Sequence, residues 1–96
     1  MDIAKPLSGF TIDEPPTVKS YIASYAGQWP RLPAYWSDVK ARLKQTGHRE
    51  GKRLESGPPG ARLYVVAGND QGLPTIRVAY VVLGDTLHIH QLLVTA

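Results

Sequence analysis

The sequence predicts an α+β domain in which an N-terminal strand and a helical hairpin pack on an antiparallel sheet. Three observations carry this. Apolar residues recur at helical spacing between residues 18 and 43. Residues 62–94 instead fall into three strand-length runs rich in Val, Ile, Leu and Tyr. A two-residue loop, Gly84-Asp85, separates the last two runs, as a tight β-hairpin requires. With 96 residues the chain builds one core and one domain, 1–96, with residues 1–7 expected to be flexible.

Each element follows from its residues. Phe10 and Ile12 alternate as in a short edge strand. Asp13-Glu14-Pro15-Pro16-Thr17 reads as a helix start, because acids and proline favour the first turn. Val18, Ile22 and Tyr25 then line one face, with Tyr21 on its flank, and Gly27 is placed to end the helix in a left-handed conformation. Trp29-Pro30 to Pro33 forms a connector. The second helix is expected from about Pro33 to Thr46, with a stripe of Leu32, Trp36, Val39 and Leu43 and with Lys40 and Lys44 facing solvent. Residues 48–60 read as an irregular loop. Strands follow at Arg62–Val66, Ile76–Leu83 and Thr86–Val94.

The hairpin sets a register. With Leu83 opposite Thr86, Val81 faces His88, Ala79 faces His90 and Arg77 faces Leu92. One face then carries Ile76, Val78, Tyr80, Val82, Leu87, Ile89 and Leu93 and is expected to meet the helices. The other carries Arg77, Ala79, Val81, His88, His90 and Leu92, with Val81 and Leu92 exposed.

Composition narrows the function. No cysteine is present, which removes disulfides and thiolate metal sites and fits a reducing compartment. No run approaches a membrane span or a signal peptide, so the expectation is a cytoplasmic protein with no membrane partner. The net charge is +3, but residues 40–62 hold +5 of it and the remainder −2. Lys40, Lys44, Arg49, Lys52 and Arg53 are therefore candidates for holding a phosphate backbone. They also suit a solvated helix end, where cations complement the dipole.

Arg77, His88 and His90 are the candidate catalytic residues, joined by Arg62 and Tyr64 if these point the same way. A permanent cation beside two groups that titrate near neutrality suits phosphodiester chemistry on RNA. A base takes the 2′-hydroxyl proton, an acid protonates the leaving oxygen, and the cation stabilises the charged phosphorane. The same residues also read as surface cross-strand histidines and a structural arginine. A metal reading would rest on His88-x-His90 with His48. It falls short of the three or four supported ligands zinc needs, so no metal or other cofactor is expected. Gly57-Pro58-Pro59-Gly60 has prolines where a phosphate loop needs N–H donors. Trp29, Tyr35 and Trp36 read as core rather than as a base-stacking platform.

The order of elements over residues 8–94 resembles the RelE/ParE superfamily of bacterial toxins, which belong to type II toxin–antitoxin systems. Gly51-Lys52-Arg53-Leu54-Glu55-Ser56-Gly57 resembles that family's step into the sheet. Ile76-Arg77-Val78-Ala79-Tyr80-Val81-Val82 resembles its central strand, and Gly84 to Ile89 its following hairpin. The resemblance implies a RelE-like, ribosome-dependent, metal-independent mRNA endoribonuclease, neutralised by a cognate antitoxin protein and acting on the ribosome and mRNA. Arg77 matches the family's catalytic arginine. Arg62 and Tyr64 stand where ribonuclease members carry lysines. Those members also continue with a basic or histidine residue and a tyrosine beyond the position of Val94-Thr95-Ala96; this departure favours the protein-binding alternative unless His88 or His90 takes over proton transfer. The alternative is a ParE-like or catalytically inactive relative that acts by binding protein, as in gyrase inhibition. A further alternative is an unrelated α+β adaptor.

Overall fold

A computed structural model describes residues 9–55, 57–69 and 72–95; the expectation for residues 1–7 lies outside them. The elements run β1 (Thr11–Asp13), α1 (Pro16–Tyr25), α2 (Leu32–Thr46), β2 (Lys52–Arg53), β3 (Ala61–Val66), β4 (Thr75–Leu83) and β5 (Thr86–Thr95). The strands form one five-stranded sheet in the order β1-β5-β4-β3-β2, with both helices packed on one face. The α+β class holds. The sheet is mixed rather than antiparallel, because β1 lies parallel to β5, pairing Thr11 with Thr86 and Asp13 with His88.

Both helices form where apolar spacing placed them. Val18 and Ile22 of α1, and Leu32, Trp36, Val39 and Leu43 of α2, are buried. They join Phe10, Ile76, Val78, Tyr80, Val82, Leu87 and Ile89 in one core. Gly27 does not take the left-handed conformation; Ala26 caps α1 with ordinary helical angles. Gly47 ends α2, and it too has helical angles. Its lack of a side chain matters for space: a Cβ there would run into the Leu87 side chain and the Leu43 carbonyl. Gly47 thus lets the end of α2 lie directly on β5.

Lys40 does not face solvent freely. Its Nζ donates to Glu14 Oε1 at 2.9 Å, while Trp36 Nε1 donates to Glu14 Oε2 at 2.7 Å. One carboxylate therefore ties the entry of α1 to the middle of α2. Burial acts to raise the Glu14 pKa, but these two hydrogen bonds and the Lys40 charge outweigh it and hold the carboxyl below its usual value.

The β4–β5 hairpin keeps the expected register for four pairs, from Leu83 with Thr86 to Tyr80 with Ile89. Only Gly84 in the turn has positive φ, which is the requirement of a type II′ loop. The register then shifts at Ala79/Tyr80. Ala79 pairs with Gln91, Val78 with Leu92 and Arg77 with Leu93, leaving His90 as an extra residue in a β-bulge. Beyond the bulge every side chain of β5 changes face. Leu92 is buried at 7% exposure and Leu93 is 46% exposed, the reverse of the sequence expectation. Val81, expected to be exposed, is also buried, at 2%.

The segment 48–60 is not wholly irregular. Lys52 pairs with Leu63 and Arg53 with Arg62 to form β2, entered through Gly51 at φ 72°. A side chain at Gly51 would strike the Leu63 carbonyl as well as strain the backbone.

Candidate functional site: the open face of the sheet

The helices cover one face of the sheet; the other is open around Arg77, while Ala61 and Val81 nearer the hairpin turn are buried. Pairing fixes what the open face carries. One cross-strand row is Val65–Arg77–Leu93, and the next is Leu63–Ala79–Gln91, with Lys52 at its edge. A third row is Ala61–Val81–His88–Asp13. Leu63, Arg77, Ala79, Gln91 and Leu93 line a shallow depression of about 160 Å³. Val65 and Leu93 are each nearly half exposed beside it. Arg77 is exposed in the middle of this apolar surface, and no ion pair holds it among the described residues.

The candidate catalytic residues do not converge. Arg62 pairs with Tyr80 and Tyr64 with Val78, so both lie on the helix-covered face, opposite to Arg77. The Arg62 guanidinium is occupied there: Nε donates to the Glu50 carbonyl at 2.7 Å, and Nη2 lies 3.4 Å from the Gly51 carbonyl. Tyr64 packs at the margin of the core. His88 shares the open face with Arg77 but sits opposite Val81, four residues along β4, which is roughly 13 Å of strand. Its Nδ1 lies 2.8 Å from Asp13 Oδ2, a contact made by the parallel β1–β5 pairing. His90 occupies the bulge, beside Thr17, Val18 and Tyr21 of α1, rather than across from Ala79. His48, the third nitrogen of the metal reading, stacks on buried Phe10 with ring centroids 5.5 Å apart.

The candidate backbone-binding cations are similarly divided. Lys40 is engaged by Glu14, and only Lys44, Arg49, Lys52 and Arg53 are exposed. The β2–β3 register directs Lys52 to the open face and Arg53 to the covered one.

Sequence reasoning gave Tyr80 only an apolar role. Its hydroxyl is buried within reach of two carbonyls, Gly47 at 2.7 Å and Glu50 at 2.9 Å. Burial pushes its pKa up to about 12, against the lowering influence of Arg62. Tyr80 and Arg62 together pin the chain leaving α2 onto the sheet. A tyrosine among purely aliphatic core positions is the sequence signal for such a role, since a buried hydroxyl must find a partner.

No family model, curated protein or solved structure matches this chain. No helix among the described residues is long and apolar enough to cross a membrane.

Proposed function

We propose that this chain is a RelE/ParE-like toxin domain that acts by binding protein rather than by cleaving RNA. The observation that carries this reading is the setting of Arg77. It stands in an apolar row between Val65 and Leu93, with His88 about 13 Å along the strand and with Arg62 and Tyr64 on the opposite face. General acid–base catalysis needs its groups within hydrogen-bond reach of one reacting phosphate. An arginine flanked by the apolar side chains of Val65, Leu63 and Leu93 instead fits an interface anchor, where arginine is among the residues that dominate binding. Lys52 adds a second positive charge to the same face. The partner surface that matches it is apolar with an acidic residue opposite Arg77. The resemblance supplies two candidates for that partner, a cognate antitoxin and a cellular protein target such as gyrase.

Induced expression in a bacterial host, followed by primer extension on a reporter mRNA, tests the reading. The expected result is growth arrest with no new mRNA ends, relieved by Val65→Asp with Leu93→Asp. New ends that vanish in Arg77→Ala would establish the ribonuclease reading instead. Absence of arrest would favour an adaptor outside the superfamily.

A further inference from the structure

β1 pairs with only the first three residues of β5, Thr86 to His88. Past that point the outer edge of β5 has no neighbouring strand among the described residues. The amide of Val94 points out of the sheet at this edge, where the Tyr21 hydroxyl accepts it at 3.0 Å. Backbone groups two residues apart on a strand point the same way, so the N–H and C=O of Leu92 also face outward. A groove of about 180 Å³ runs beside them, lined by Thr17, Val18, Tyr21, His90, Gln91 and Leu92. An unpaired edge of this kind is a template for another strand.

We propose that a second copy of this chain occupies that edge, the two β5 strands pairing antiparallel about a twofold axis at Leu92. The edge is complementary to itself in this register. Leu92 exchanges two hydrogen bonds with Leu92 of the second copy, as in a hydrogen-bonded antiparallel pair. Leu93, 46% exposed in the single chain, comes opposite Gln91 of the second copy and packs beside it. Charge agrees with the twofold. His90 is the sole titratable side chain between Ile89 and Thr95, and it comes opposite Val94, so no like charges oppose each other. The other side of the sheet is unsuited to self-pairing, because its outermost strand is Lys52-Arg53 and two copies would bring cations together. Tyr21 fits as the place-holder: it satisfies the Val94 amide in the single chain and yields it when a strand arrives.

Disulfide trapping and sedimentation test this interface; it shares Gln91 and Leu93 with the open face, but both readouts report association of the chain with itself and not growth arrest. The chain has no cysteine, so introduced ones report alone. Gln91→Cys and Leu93→Cys are made as separate proteins, both at exposed positions. In the proposed register these two positions form a non-hydrogen-bonded pair with Cα atoms about 4.5 Å apart, inside the range a disulfide spans. The expected result is a cross-linked dimer when the two proteins are mixed under mild oxidation, in clear excess over either protein alone. The unaltered chain is expected to sediment with increasing mass as concentration rises, and Tyr21→Phe to shift that rise to lower concentration. A single-chain mass at every concentration would overturn the proposal. So would a dimer that gives no excess cross-link in the mixture.

Discussion

Removing the Tyr80 hydroxyl gives the sharpest test of how the sheet holds the end of α2. In Tyr80→Phe the ring stays and one O–H is lost from between the Gly47 and Glu50 carbonyls. The Glu50 carbonyl keeps the Arg62 Nε donor at 2.7 Å, so the Gly47 carbonyl bears most of the loss. One net hydrogen bond, with part of the penalty for a buried acceptor, amounts to about 1–2 kcal/mol at neutral pH. The pH dependence then separates this tyrosine from a general packing effect. Its folded pKa is about 12 against an ordinary value of 10.0, so folding favours the protonated phenol. That contribution is complete below pH 10 and is lost as pH rises from 10 towards 12, where the unfolded chain ionises first. A rise from 10.0 to about 12 corresponds to roughly 3 kcal/mol. The wild-type advantage is therefore expected to shrink above pH 10 and to reverse near pH 12. Urea unfolding followed by the fluorescence of Trp29 and Trp36, at closely spaced pH values from 7 to 12, measures both quantities. A constant difference across the alkaline range, or a neutral-pH cost below about 0.5 kcal/mol, would refute the assigned role.

Three further outcomes are expected. Ile89→Ala should cost about 2–4 kcal/mol in chemical denaturation, because Ile89 is 2% exposed in the core just before the bulge. Glu14→Gln should flatten the acid limb of the stability–pH curve: the lowered carboxyl pKa contributes stability above the unfolded value of 4.5 that is lost as pH falls through the folded value. Arg77→Ala should leave thermal unfolding unchanged, since its side chain is exposed, while weakening whatever binding the open face provides.

The sequence was most readable where local geometry decides the outcome. The α2 stripe of Leu32, Trp36, Val39 and Leu43 has a spacing that no strand shares, and all four residues are buried. The Gly84-Asp85 turn fixed the hairpin register because a two-residue loop leaves the strands no freedom to slip. The bulge left a fainter mark: His90-Gln91 places two polar residues in succession, and Leu92-Leu93-Val94 is apolar throughout, so alternation does not choose the face. The facing of Arg62 and Tyr64 was hidden for a different reason. β3 and β4 are joined by residues 67–74, too long a connection to impose a register. β2 escaped notice because two charged residues carry no periodicity. The candidate site was accordingly legible in its central residue, Arg77, and in its strand, but not in its company.

The parallel pairing of β1 with β5 also sets an order of assembly. His88 and Asp13 are 75 residues apart in the chain, whereas β4 and β5 meet across two. Closing the longer loop costs roughly 3 kcal/mol more chain entropy than closing the hairpin. The hairpin therefore forms early and the N-terminal strand docks late. While the ribosome is still making β4 and β5, the stripes of α1 and α2 have no sheet to cover. Phe10, which is fully buried in the finished core, waits longest for its neighbours. Until that sheet exists the stripes of α1 and α2 are exposed apolar surface, the condition under which incomplete chains aggregate.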